Sequence, residues 1–454
     1  MPTGKSLLPI AIAVARLFFP QSKSLGIDLG AESPGVLRKA IYAATNGYSF
    51  AQASLHLAHL AELNVSVKQV ERLAQRIGQE RIDERDAEVA AWKDLPLAKQ
   101  FEAPPAVVSP DLAVIMVDGG RMQFRDGFAH ATPAPDSPSQ ATDADADWVE
   151  EPPSKSSHWR EDKVGLVMTM ESEVSAVDPC PAIPPGFIDV LRIPKLVREL
   201  GKSVSPGVDA AGEPADPEAE AEALREETEY EPPEVLERQV VATSEPWQVF
   251  ATIVANRAYR EGAQGAKRKA FVGDGSANNW KLRRRFFGSF EAILDFIHAL
   301  SYVFAAALAG KPFAEGWKSY QEWIGWVWEG RVGKVIEELQ RRQEELGKPE
   351  KGESETSPRS VVASSLGYLR NQQGKMKYHE YRKQGLPITS SLMESGVKQM
   401  NQRVKGTEKF WSQGGGEAML QLRADTLCDG EVMEGFWERR QAAATGQRRY
   451  RRAG

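Results

Sequence analysis

Residues 111–120 read DLAVIMVDGG. The apolar run has strand length, and it ends in an acid followed by two glycines. That is the pattern of a strand buried in a sheet. The same phrase returns in KRKAFVGDGSANNW, residues 267–280, again as apolar strand, acid and glycine. DKVGLVMTM (162–170) reads as a further strand. FEAILDFIHALSYVFAAALAG (290–310) reads as a short strand running into a helix. Strands of this kind separated by helical stretches predict an α/β protein.

The chain has 454 residues, 41% hydrophobic and 26% charged, which suits a soluble protein of about three domains. Cys180 and Cys428 are the only cysteines and lie far apart, so no disulfide framework or zinc module is expected. That usage suits a reducing cytoplasm. LLPIAIAVARLFF (7–19) is too short to span a membrane and is broken by Pro9 and Arg16, so a packed amphipathic segment is expected there. The net charge of −6 disfavours a nucleic-acid partner at first sight. Residues 201–238 alone carry 12 Asp/Glu and 3 Lys/Arg, however, which leaves the remainder at +3. Six arginines and no acid fall within 439–454. Local patches, more than the total, decide partners.

SFAQASLHLAHL and SVKQVERLAQRIG, within residues 48–80, both open with capping-box spacing, Ser49-x-x-Gln52 and Ser66-x-x-Gln69. In the second, Val67, Val70, Leu73, Ala74 and Ile77 share a face, and Gly78 is expected to stop the helix. Lys68, Gln69, Arg72 and Arg76 fall elsewhere. A basic outer face on a second helix is what a helix-turn-helix presents to a major groove, although an ordinary helical hairpin has the same spacing. Residues 311–385 read as almost wholly helical, with Val332, Val335, Ile336 and Leu339 as an apolar stripe and Trp317, Trp323, Trp326 and Trp328 as core. A loop is expected around 345–360.

Asp118 and Asp274 end the two matching strands beside glycine. Paired hard carboxylates there suit Mg²⁺, which keeps positions open for phosphate and water. SSLMESGVKQMNQRVKG (390–406) supplies a third carboxylate, Glu394. On a helical wheel Glu394, Lys398, Asn401 and Lys405 lie within about 60° of one another. Such a face can hold a metal and track a phosphate backbone. Ser391-x-x-Glu394 is equally a capping box, and Glu394 with Lys398 an ordinary i, i+4 pair.

Taken in order, VDGGRMQFR, VGDGSANNW, ILDFIHAL, LPITSSLMESGVKQMNQRVKG and FWSQGGGEAMLQLRA resemble the signatures of bacterial insertion-sequence transposases of the DDE class, the ISKra-type group. The resemblance covers roughly residues 30–430. It implies an RNase H-like fold with a mixed five-stranded sheet and flanking helices. Asp118 would sit on the first strand, Asp274 after the fourth, and Glu394 on a late helix, together holding two Mg²⁺ or Mn²⁺. Asp295 and His298 match its D-x-x-H element, which implies a supporting role. The implied organisation is an N-terminal helix-turn-helix region (1–95), a core in three parts (96–200 with a flexible loop at 131–158, 239–305 and 386–430), an acidic disordered insert (201–238), a helical insertion (306–385) and a basic tail (431–454). The implied partners are double-stranded DNA, at transposon ends and at the target, and further copies of the chain assembled on it. Phosphate contacts are expected from Arg283, Arg284, Arg285, Lys398, Arg403, Lys405 and the arginine-rich tail. Two other classes fit the same residues: a repurposed, non-catalytic DNA-binding protein, and an RNase H-like nuclease without strand transfer.

Overall fold

A computed structural model describes residues 16–18, 32–125, 148–149, 158–200, 231–443 and 447–449. The strands are β1 (Arg16–Phe18), β2 (Leu112–Phe124), β3 (Trp159–Glu171), β4 (Glu234–Thr243), β5 (Arg268–Gly273), β6 (Glu291–Leu294), β7 (Phe410–Trp411) and β8 (Gln447–Arg449). Six of them form a mixed sheet in the order β4-β3-β2-β5-β6, with β7 added beside β2. β2, β3 and β4 are antiparallel, whereas β5, β6 and β7 join in parallel. β1 and β8 make a separate two-stranded ribbon. The protein is therefore α/β, with an open mixed sheet. None of its described helices is long and apolar enough to cross a membrane.

β2 runs further than its apolar core suggests. It pairs with β3 from Leu112 to Gln123. On its other side it pairs with β5 only at Leu112–Met116 and with β7 only at Gln123–Phe124. Asp118 thus stands in mid-strand, where β2 has parted from β5 and has not yet met β7, instead of at a strand end. Asp274 does follow the last residue of β5, as expected.

The N-terminal helices are α1 (Pro34–Asn46), α2 (Phe50–Ala61) and α3 (Val67–Lys93). Ser66 and Gln69 close a full capping box at the start of α3, and Ser49 accepts from Gln52 N at the start of α2. Val70, Leu73, Ala74 and Ile77 are buried as the spacing requires, while Val67 is exposed. Gly78 does not stop α3, which continues for 15 residues beyond it. A Cβ at Gly78 would lie 2.6 Å from the Ala418 Cβ. Glycine is there because another helix, α12 (Gln413–Leu427), crosses against it. The crossing is reinforced by buried ion pairs, Arg81 with Asp425 at 2.9 Å and Arg85 with Glu417 at 3.1 Å. Glu417 also accepts from Thr243 Oγ1 and Ser244 N at the end of β4, tying α3, α12 and the sheet together.

Between these come α4 (Arg192–Glu199), α5 (Trp247–Arg260) on β3 and β4, and α6 (Ala277–Phe286) after Asp274. The helical block consists of α7 (Phe296–Leu308), α8 (Phe313–Trp328), α9 (Val332–Leu346) and α10 (Pro358–Gln372). Each packs on the next, and α10 returns to α7. Val332, Val335, Ile336, Leu339, Trp323 and Trp328 are core, with Trp317 and Trp326 half-buried against it. α11 (Ser391–Val404) lies on β2 and β3, and α13 (Val432–Ala442) closes the described chain before β8.

Two of the expected segments lie largely outside the described residues, and a third is partly folded. Most of the acidic segment, 201–230, lies outside the described residues, but Glu234 and Glu237 belong to β4. There Glu234 and Leu236 of this edge strand are exposed, while Val235 and Glu237 are half-buried. The loop expected at 131–158 also lies outside, apart from Trp148, Val149 and His158. The basic tail begins as α13, whose Phe436 and Trp437 are buried, and whose Arg439 and Arg440 pair with Glu84 and Glu80 of α3.

Candidate active site

Asp118, Asp274, Glu394 and the pair Asp295 and His298 come from four different segments and act on one another's charge. Asp118 accepts from Gly119 N through Oδ1 at 2.7 Å. Burial, reinforced by Asp274 and Asp295, pushes its carboxyl up to about 6. Asp274 Oδ1 accepts from Ser276 N at 2.9 Å and Asn279 Nδ2 at 2.7 Å, an Asx-type turn that starts α6. Glu394 lies in the first turn of α11. Burial, then the charge of Asp295, pushes its carboxyl up to about 7, with His298 and Lys398 opposing.

The capping reading of Glu394 fails on geometry. Ser390, not Ser391, is the N-cap residue, and no side chain caps the helix. Glu394 therefore falls one position past the capping-box glutamate, where it cannot reach back to the cap N–H.

Asp295 holds the site together. It is fully buried at the N-terminus of α7, where its carboxylate accepts from Ile297 N and His298 N. It also accepts from Ser390 N at 2.9 Å and sits 2.6 Å from His298 Nδ1. Its own N–H donates to Gly273 O at the end of β5. One residue thus fixes the start of α11, through its side chain, and with it Glu394, against the strand that delivers Asp274, through its backbone. Burial would raise the Asp295 carboxyl, but His298 and the backbone donors hold it low. Burial would lower the His298 imidazole, but the Asp295 bond and the charges of Asp274 and Asp118 hold it up at about 9. At neutral pH an imidazolium therefore stands among four carboxyls.

The donor chemistry fits a divalent cation. Asp118 Oδ2, Asp274 Oδ2 and both Glu394 oxygens have no hydrogen-bond partner among the described residues, and all are hard oxygen donors. Among those residues, however, no three His, Cys, Asp or Glu side chains are gathered closely enough to hold one ion. The carboxylates share an electrostatic neighbourhood without forming a finished shell.

The expected DNA contacts divide. Lys68, Gln69 and Arg72 are exposed on α3, with Lys68 paired to Glu71 at 2.9 Å. Arg76 is half-buried and pairs with Glu32. Lys398 and Lys405 are exposed on and just beyond α11, and the Lys405 ammonium lies 5.8 Å from the Trp159 ring centre. Arg284 and Arg285 are exposed, whereas Arg283 braces the turn after α6 by donating to Phe290 O at 3.1 Å and Gly288 O at 2.9 Å. Arg403 is no surface contact. It is 3% exposed, donates to Ala44 O at 2.6 Å and lies over Phe50 and Trp411. On the wheel it falls on the core side of α11, and its charge is spent joining α11 to α1.

Two residues went unread in the sequence. Asp162 is fully buried with neither carboxylate oxygen hydrogen-bonded to another described residue, opposite Gly120, where a Cβ would lie 2.7 Å from it. Burial pushes its carboxyl up to about 7. It opens the apolar run DKVGLVMTM, where an acid reads as a solvated strand end. Tyr368 of α10 donates to Asp274 O at 2.6 Å, and no local pattern announces so distant a contact. No protein-family model and no curated protein matches the chain.

Proposed function

We propose that this chain is a DNA transposase of the DDE class with an RNase H-like core, which hydrolyses a phosphodiester at a transposon end and joins the freed 3′-hydroxyl to target DNA. The observation that carries this reading is that Asp118 feels the charge of Asp274 and acts on that of Glu394, with Asp295 and His298 acting on both Asp118 and Glu394. The sheet has six strands where the resemblance implies five, and in chain order Asp118 is on its first strand, Asp274 follows its fourth and Glu394 is on a late helix. That placement of the three carboxylates is the one the sequence resemblance implies.

Asp118, Asp274 and Glu394 would hold Mg²⁺ or Mn²⁺. Such ions, when bound, activate an attacking oxygen and stabilise the leaving one. The chain's own residues set the stage for that chemistry. Asp295 fixes the approach of α11 to β5. Ser276 and Asn279 orient Asp274. The His298 imidazolium offsets carboxylate charge that would otherwise repel the phosphate. Exposed Lys68, Gln69 and Arg72 suit end recognition, and Lys398 and Lys405 suit phosphate contacts near the reacting strand. No covalent enzyme intermediate is required.

The test incubates purified protein with labelled duplex from the ends of the element that carries its gene, a target plasmid, and Mg²⁺ or Mn²⁺. Joined products are expected from the wild type and not from Asp118→Ala, Asp274→Ala or Glu394→Ala. Cleavage without joining would assign a nuclease instead. Binding with neither would leave a DNA-binding protein.

A further inference from the structure

The helical block does more than pack on the core. The turn after β5 is clamped from the side by α10: Tyr368 donates to Asp274 O and Gln372 Nε2 to Gly275 O at 3.1 Å. Gly275 has φ +96°, and a Cβ there would lie 2.9 Å from the Tyr368 ring, so the turn and the tyrosine are fitted to each other. Tyr368 is itself stacked on Tyr302 of α7, with ring centres 3.7 Å apart.

One turn further along, Lys375 donates to Gln372 Oε1 at 2.9 Å, and its ammonium lies 4.8 Å from the Trp280 ring centre on α6. The same side of α6 carries Arg283 and Arg284. The charges that act on Lys375 are those two guanidinium groups, and no carboxylate is among them. Arg284 is exposed and has no ion pair among the described residues, and Arg283 spends its donors on carbonyl oxygens. Like charges brought together without an acid cost free energy in the free protein, and an anion removes that cost. Burial adds to it by holding the Lys375 ammonium below its usual range. The bonds Lys375 to Gln372 to Gly275 place this cluster one residue from Asp274.

We propose that Arg284 and Lys375, backed by the charge of Arg283, form a phosphate-binding cradle beside the Asp274 turn, built jointly by α6 and the helical block, that takes the backbone of a nucleic acid strand. The strand rests on the transposase reading, while the phosphate chemistry does not.

The experiment compares the full-length wild type with Arg284→Gln/Lys375→Gln in EDTA. Arg283 is left intact because it braces the 288–290 turn, and Arg284→Gln alone, at an exposed position, serves as the variant least able to disturb folding. Fluorescence anisotropy of a labelled duplex across a salt series is expected to give a log–log slope smaller by about 0.9 per lost phosphate contact, so by about 0.9 in the single and nearly 2 in the double variant. Inorganic tripolyphosphate is expected to raise the wild-type melting temperature and to leave that of the double variant unmoved. A slope and a tripolyphosphate response unchanged in both variants would overturn the cradle. Loss of the tripolyphosphate response in a protein whose wild type ignores DNA would uphold the cradle and overturn the transposase reading.

Discussion

Replacing Glu394 by Gln separates a functional carboxylate from a structural one. The carboxyl is raised from an ordinary 4.5 to about 7, so the folded chain binds its proton more tightly than the unfolded chain does. Its ionisation therefore costs stability between pH 4.5 and 7, with the full cost present above 7. At about 1.36 kcal/mol per pH unit the span corresponds to roughly 3 kcal/mol, and water access at this half-buried position brings it to about 1–3 kcal/mol. Gln cannot ionise. In EDTA at pH 8, Glu394→Gln is expected to be more stable than the wild type by about that amount, and at pH 4.5 to be nearly equal to it. Urea unfolding at the two pH values reads this directly. A variant less stable than the wild type at pH 8 would refute the reasoning, since Glu394 would then have a structural partner. A residue whose loss stabilises the free protein is one retained for what it binds.

Other perturbations follow from the same geometry. Gly78→Val is expected to cost about 1–3 kcal/mol or more in urea unfolding, because its Cβ would collide with Ala418 at the α3–α12 crossing. Arg403→Gln is expected to lower stability by about 1–3 kcal/mol and leave the salt dependence of DNA binding unchanged, since Arg403 bonds Ala44 O inside the protein. Arg72→Gln, at an exposed position, is expected to do the reverse: a salt slope smaller by about 0.9 and stability within about 0.5 kcal/mol. Asp295→Asn removes the main support of the His298 proton, so NMR titration is expected to show the imidazole falling from about 9 towards 6.5. The stability from that proton is full below 6.5 and lost through 9, so the gap between wild type and variant narrows over that range.

Much of the fold was legible because burial writes itself into short runs. LAVIMV and AFVG are apolar whichever face they show, and both belong to central strands. Capping chemistry at Ser66 and Gln69 was equally local. What escaped depends on partners far along the chain. Gly78 looks like a helix stop until α12 is seen crossing it. Arg403 looks like a phosphate ligand until Phe50 and Trp411 close over it. Glu394 has the right spacing from Ser391 for a cap, but the helix begins at Ser391, so the register is one residue out. Asp118 was found for its type and its neighbours, although the strand does not end there. Asp162 and Tyr368 carry no local signal, and only the folded sheet and the helical block reveal them.

The central claim is that Asp118, Asp274 and Glu394 act together on a divalent cation and a DNA phosphate. Its most direct test is Mn²⁺ binding followed by electron paramagnetic resonance, in the presence of a DNA duplex whose phosphates can complete the metal shell. Saturable binding is expected in the wild type, with loss of bound Mn²⁺ in each of Asp118→Asn, Asp274→Asn and Glu394→Gln. Wild-type binding retained in all three variants would contradict it.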